Sequence, residues 1–356
     1  MKIIHTADLH IGSPLTSRLP IDKREERQNE LMSNFRRLVE EAYSLGAYTV
    51  MISGDLFDEN AVSRRAKASF LETVRWASDI SFFYLEGNHD EGIIEEAEKP
   101  ENLFTFGKEW TYYELAEDVV ITGRKYFNGR LFDTLTLKKD KKNLVMLHGE
   151  LRDRSAPRYT IGRKDAEGKN IDYLALGHYH TYSATRIDER GVAVYCGTPE
   201  GRGFDEVGRC GFVLVDTGKK EVTHKFIPFA KREIHDIKLS IENTLGQSDI
   251  AKKARDILAE IPLCDIVRLE LVGRYSPDIW KDEKALEGEL SRGRYHLEIK
   301  DASLPRFDCS ELKNDKSLKG EFIRLVLADR TLTEEEKEKV ILLGISALLG
   351  EELKSL

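Results

Sequence analysis

The chain lacks the features that mark several large classes of protein. Its four cysteines, Cys196, Cys210, Cys264 and Cys309, are scattered. They show neither metal-ligand nor redox spacing, which excludes a disulfide framework and predicts reduced, mostly buried thiols of a cytoplasmic protein. No apolar run approaches the about 18 residues that a membrane helix needs, so no membrane contact is expected. The N-terminus opens on an apolar strand without the basic-then-apolar pattern of a secretion signal. No internal repeat or low-complexity tract occurs. Positive charge is not in excess either: 55 Lys and Arg stand against 63 Asp and Glu, a formal net charge of −8. That sign excludes nucleic-acid binding over the whole surface and leaves room only for a local basic track.

What the chain does have is apolar content for a large core, 40% of its 356 residues, enough for two domains or more. It also has an ordered series of polar clusters, each just after a strand-like apolar run. Ile3-Ile4 leads into Asp8-Leu9-His10, and Tyr48 to Ile52 leads into Gly54-Asp55-Leu56-Phe57-Asp58. Phe82 to Leu85 leads into Gly87-Asn88-His89-Asp90, Leu144 to Leu147 into His148-Gly149, and Tyr173 to Leu176 into Gly177-His178-Tyr179-His180. Runs of this kind read as buried strands. In open α/β sheets ligands gather at the carboxyl ends of strands, so the five clusters are expected to meet in one crevice. Carboxylates, an amide oxygen and imidazoles form a donor set for hard-to-borderline divalent cations. Two such cations about 4 Å apart make a site for phosphate-ester hydrolysis. Singly, each cluster has an ordinary alternative: Asp at a strand end caps a turn, Asn after Gly turns the chain, and histidines at i, i+2 pair across strands. Their succession, each behind a strand, favours the metal reading. His5, His224, His235 and His296 fall outside the clusters and read as ordinary core or surface histidines.

The clusters resemble the five signature motifs of the calcineurin-like metallophosphoesterases. The opening Ile4-His5-Thr6-Ala7-Asp8-Leu9-His10-Ile11-Gly12, the Gly54 to Asp58 run and the stretch from Tyr195-Cys196-Gly197-Thr198-Pro199-Glu200 through Gly201-Arg202-Gly203-Phe204-Asp205-Glu206 narrow the likeness to SbcD-type DNA repair exonuclease subunits. It covers roughly the first two-thirds of the chain. The resemblance implies a four-layer α/β/β/α sandwich. It implies that Asp55 bridges two metal ions, with Asp8, His10 and His180 completing one and Asn88, His148 and His178 the other. The metals would most often be Mn2+, with Fe or Zn compatible with the same donors. His89 would stand outside the ligand set and protonate the leaving oxygen after a metal-activated hydroxide attacks the phosphodiester. Two readings stand for Asp90: it orients the His89 imidazole, or it caps a turn. Some relatives carry a second histidine at the place of Asp58, and this chain does not. A homodimer through helices of the first domain and a docking site for an SMC-like ATPase are implied as well.

The rest of the chain organises around this region. Helices are predicted over 21–45 and 63–76, and strands over 191–196, 211–216 and 221–229. The metallophosphoesterase domain is expected to span 1–230. A β-α-β-α-β pattern then predicts a small α/β domain over 231–302, where the resemblance places a cap that guides DNA. Residues 303–356 read as a helical segment, with Thr333-Glu334-Glu335-Glu336 as a capping-box signal. That segment either packs on the cap or docks a partner. The best basic track runs from Arg124 to Lys164, including Arg130, Arg152, Arg154, Arg158 and Arg163; Lys138 to Lys142 reads as a solvated tip. Arg202, between two glycines, could reach a phosphate. The reading that results is a two-metal phosphodiesterase acting on DNA. A small-molecule phosphoesterase and a metal-bound interaction scaffold are the alternatives.

Overall fold

The computed structural model describes residues 1–349 apart from 14, 16–18, 59–61, 91, 126–130, 157–158, 277–278, 280 and 307–315. Arg130, Arg158 and Cys309 therefore lie outside the described residues. Two compact units emerge, Met1–Ile234 and His235–Leu356.

The first unit is built on two six-stranded sheets. In chain order its elements are β1 (Lys2–Thr6), α1 (Ile21–Leu45), β2 (Thr49–Ser53), α2 (Arg64–Trp76), β3 (Ser81–Leu85), β4 (Leu103–Thr105), β5 (Thr111–Ala116), β6 (Val119–Gly123) and β7 (Lys142–His148). There follow β8 (Glu150–Arg152), β9 (Thr160–Gly162), α3 (Arg163–Ala166), β10 (Tyr173–Gly177), β11 (Ser183–Arg186), β12 (Val192–Tyr195), β13 (Gly211–Asp216) and β14 (Thr223–Pro228). One sheet has the order β14-β13-β1-β2-β3-β4 and the other β11-β12-β10-β7-β6-β5. The strands that precede the polar clusters lie at the middle of each sheet and run parallel: β1 with β2, β2 with β3, and β7 with β10.

Side-chain alternation explains why these strands are apolar on both faces. Met51 of β2 joins Ile3, Phe83, Met146, Tyr173 and Ala175 between the sheets. Its neighbours Val50 and Ile52 face the other way, onto Phe35, Leu38, Val39 and Ala42 of α1 and Phe70 and Val74 of α2. Leu174 and Leu176 of β10 turn outward onto Leu131, Phe132 and Ala166. The result is the expected helix, sheet, sheet, helix layering. Helix α1 stops where Gly46 takes a left-handed φ of 67°, a conformation glycine adopts without steric cost. Helix α2 starts at Ser63, whose hydroxyl accepts from the Ala66 N–H at 3.0 Å.

The second unit carries β15 (Ile234–Ser240, whose first residue closes the first unit), α4 (Gln247–Leu258), β16 (Ile266–Val272), β17 (Arg274–Tyr275), α5 (Glu283–Leu290), β18 (His296–Asp301) and β19 (Leu304–Pro305). A sheet of order β15-β16-β18 buries Leu239, Val267, Leu269 and Leu297 against Ile250, Ala254, Leu258 and Leu286 of its helices. Helices α6 (Leu318–Ala328) and α7 (Glu334–Leu349) meet through Ile323, Val326, Ile341 and Ile345. The capping box forms: Thr333 Oγ1 accepts from Glu336 N–H, and the Glu336 carboxylate accepts from Thr333 N–H at 2.7 Å. No helix among the described residues is long and apolar enough to cross a membrane. Residues 231–234 stay with the first unit because Lys231 N–H donates to Glu200 at 2.6 Å and the Arg232 guanidinium donates to Glu30 at 2.8 Å.

Candidate metal centre

Backbone pairing carries on past the strand ends and brings the polar clusters together. Asp8 N–H donates to the Gly54 carbonyl at 3.0 Å and His10 N–H to the Asp55 carbonyl at 3.1 Å, so the first two clusters lie side by side. In the second sheet the register sets Gly177 opposite His148. Asp8, His10, Asp55 and His178 hold φ values of 52°, 43°, 48° and 110°. That left-handed backbone is costly for side-chain-bearing residues and gathers at functional sites. The glycines are required by space. A Cβ on Gly54 would lie 2.2 Å from His148 Nδ1, and one on Gly87 would lie 2.2 Å from an Asp55 carboxylate oxygen.

Two donor clusters result. Asp8, His10 and His180 form one and Asp55, His148 and His178 the other, each with its ligand atoms within 4.8 Å of one another. Asn88 joins the second, its side-chain oxygen 3.0 Å from His148 Nε2. The two clusters adjoin: Asp8 of the first accepts the His178 N–H of the second at 3.0 Å. All seven predicted ligand residues are thus brought together.

The imidazoles are set up as donors. His148 Nδ1 donates to the Ser53 carbonyl at 2.9 Å, and its Nε2 faces Asn88 and Asp55, the side from which it would ligate a cation. His180 Nδ1 is held by the Glu206 carboxylate at 2.7 Å. His10 Nε2 is buried without a hydrogen-bond partner among the described residues, and a bound cation would satisfy it. Burial pushes the Asp8 carboxyl up to about 7 and the His10 imidazole down. A cation between them would keep the first ionised and use the second neutral, so these residues fit a divalent metal pair.

His89 stands beside the clusters, its side chain 45% exposed and its ring 5.6 Å from that of His10. The Asp90 carboxylate is engaged elsewhere. That carboxylate is buried and accepts from Leu56 N–H at 2.6 Å, Gly87 N–H at 2.6 Å and the Tyr84 hydroxyl at 2.7 Å. Of the two readings for Asp90, turn anchor is the one observed. Asp58 faces His89 instead: one of its oxygens lies 3.6 Å from Nδ1 of His89 and 3.6 Å from Nδ1 of His10. Its carboxyl is held at about 2, chiefly by the His10 imidazole. Nothing local in the sequence marks Glu206 for a role at the ligands, and Asp58 reads there only as a departure from some relatives.

The basic track is less free than its composition suggests. Lys125 pairs with Glu86, Arg152 with Glu150, Arg154 with Asp165, and Lys164 with Asp153. Arg202 donates to Glu206 at 2.7 Å and approaches Asp58 at 3.6 Å. His5 is buried with Nδ1 2.8 Å from the Tyr173 hydroxyl, and His235 pairs with Asp265, the structural roles expected of them.

Adjacent carboxylate and imidazole clusters at the strand ends of a two-sheet sandwich define a metal-dependent phosphoester hydrolase. Residues 1–200 match the model of the calcineurin-like phosphoesterase family, and the chain belongs to that family. It is 26% identical over 336 residues to the uncharacterized metallophosphoesterase YhaO of Bacillus subtilis, covering 86% of this chain and 79% of that protein. It is 24% identical over 400 residues to the DNA double-strand break repair protein Mre11 of Archaeoglobus fulgidus, covering 98% and 85%. A subunit of the nuclease SbcCD from Staphylococcus epidermidis is 22% identical over 300 residues, covering 69% and 75%.

Proposed function

We propose that the chain is a two-metal DNA phosphodiesterase, the exonuclease subunit of an ATPase–nuclease repair complex. The observation that carries this reading is the pair of adjoining donor clusters with the accessible His89 at their edge. Asp55 would be shared between the two ions. Asp8, His10 and His180 would complete one, and Asn88, His148 and His178 the other. We expect Mn2+, although Fe or Zn suits the same donors. When bound, such a pair lowers the pKa of a water and offsets charge on the phosphate oxygens. The chain itself does the remaining work. With Nδ1 of His89 turned to Asp58, Nε2 is the nitrogen left to give a proton to the leaving 3′-oxygen. Arg202, steered by Glu206, supplies a guanidinium for a phosphate oxygen.

Other features support DNA and its partners. Two of the relatives named above are a break-repair protein and part of a nuclease. Residues 235–302 supply a small α/β layer suited to capping a substrate. Leu318 and Leu325 of α6 are 70% and 64% exposed, an apolar face suited to docking an SMC-like ATPase. Trp76 of α2, 48% exposed, suits a homodimer through the helices of the first unit. Cys196, Cys210 and Cys264 form no disulfide among the described residues, which suits the cytoplasm.

Labelled linear double- and single-stranded DNA, incubated with protein and Mn2+, tests the reading. Metal-dependent shortening is expected, and His89→Ala should bind metal yet turn over about 10² times more slowly. Hydrolysis of a phosphodiester dye without any shortening of DNA would transfer the reading to a small-molecule phosphoesterase.

A further inference from the structure

Between the ligand-cluster residues His178 and His180 stands Tyr179, a residue 42% exposed. An aromatic side chain open to solvent is usually free to swing, but this one is fixed from two sides. Its hydroxyl donates to the Glu150 carboxylate at 2.8 Å, and the other oxygen of that carboxylate takes the Arg152 guanidinium at 2.8 Å. Its ring leans on Tyr195, centroids 4.9 Å apart. Tyr195 is itself locked, donating to the Gly149 carbonyl and accepting from Leu151 N–H, each at 2.7 Å. On the metal side the Tyr179 ring lies 5.4 Å from the His178 ring.

A buried tyrosine held this way would be core. An exposed one beside a phosphodiester centre is a rigid flat surface whose rotamer entropy is already spent, so a second flat group stacks on it at small ordering cost. We propose that Tyr179 is a stacking platform for a nucleobase flanking the scissile phosphate. The proposal rests on the two-metal phosphodiesterase reading and adds a binding subsite to it. Every base presents a π-face, so the subsite tolerates any sequence. Glu150 acts through the tyrosine as a positioning residue, and its pairing with Arg152 keeps its negative charge from opposing the DNA backbone.

Two esters with one leaving group test the subsite in the full chain with Mn2+: thymidine 5′-(4-nitrophenyl phosphate), which carries a base, and methyl 4-nitrophenyl phosphate, which does not. The ratio of kcat/KM for the first over the second should fall about tenfold in Tyr179→Ala and by a smaller factor in Tyr179→Phe, which keeps the ring and loses its hold on Glu150. A direct readout is the fluorescence of 2-aminopurine nucleoside 5′-monophosphate, which stacking quenches. Wild type and Tyr179→Phe should quench it, and Tyr179→Ala should not. An equal loss on both esters, or an unchanged ratio, would overturn the subsite. Quenching that depends on Tyr179 in a protein that cleaves neither ester would keep the subsite and overturn the phosphodiesterase.

Discussion

Two buried charged clusters sit in the same unit and solve the problem of buried charge in opposite ways. On α1, Arg27 bonds Glu30, Glu200 at 2.9 Å and the Gly201 carbonyl at 2.6 Å, while Arg232 bonds Glu30. Acid and base there satisfy each other. Burial pushes the Glu30 carboxyl up, but hydrogen bonds from Arg232, Lys231 and Arg27 outweigh it and hold the group at about 2. At the strand ends the arrangement is reversed. Burial carries Asp8 to about 7, His10 keeps a buried nitrogen without a hydrogen-bond partner among the described residues, and four backbone positions are strained. A closed network needs nothing further; an open one is completed by something the chain does not supply, and here the donor chemistry selects a cation pair.

The largest effect should come from breaking the open cluster at the residue proposed to serve both metals. Asp55→Ala should remove Mn2+ binding at both positions and lower turnover by a factor on the order of 10³ or more, since neither ion alone clamps the phosphate. Calorimetric titration checks it: two intact Mn2+ sites in that variant would refute the bridge. Folding should survive, because the closed network on α1 is untouched.

Glu30→Gln breaks the closed network instead. Taking one partner from a buried ionic cluster costs about 3 kcal/mol, roughly 6–12 °C in Tm for a unit of this size, with Mn2+ stoichiometry unchanged. The sign of its pH dependence follows from the carboxyl. With a folded value of about 2 against an ordinary 4.5, the ionised Glu30 contributes its full stability above pH 4.5 and loses it as pH falls from there toward 2. The Tm gap between wild type and Glu30→Gln should therefore be widest near pH 6 and narrow by pH 3. A gap that does not change with pH would mean that shape, not charge, holds this network.

The open cluster was legible in the sequence and the closed one was not, for a physical reason. Each ligand follows an apolar run, so strand prediction alone places Asp8, Asp55, Asn88, His148 and His178 at strand ends, and the resemblance adds their pairing. Arg27 and Glu200 are 173 positions apart, and nothing local marks either as buried. Adjacency also misled. Asp90 follows His89, yet its carboxylate serves Leu56, Gly87 and Tyr84, while Asp58, an earlier strand-end residue, faces the imidazole. The Arg124 to Lys164 track looked basic because the sequence shows charges without their partners.

Glu206 combines the two devices, pairing with a base while holding a ligand imidazole, and it gives the smallest and sharpest test. One oxygen of its carboxylate takes both the His180 imidazole and the Arg202 guanidinium, and the other accepts the Arg202 backbone N–H. Burial raises its pKa, yet His180 and Arg202 outweigh burial and hold it at about 2. A carboxylate on Nδ1 fixes the ring so that Nε2 is the free donor, and losing such a partner typically costs 10–100-fold in metal affinity. Glu206→Ala should therefore weaken Mn2+ at the Asp8, His10 and His180 cluster by about that factor while the second cluster keeps its affinity. Glu206→Gln, which can still accept from Nδ1, should recover part of the loss. Two-site titration followed by electron paramagnetic resonance separates the positions. Equal weakening at both would mean that Glu206 supports the loop from Gly197 to Glu206 as a whole rather than one ligand.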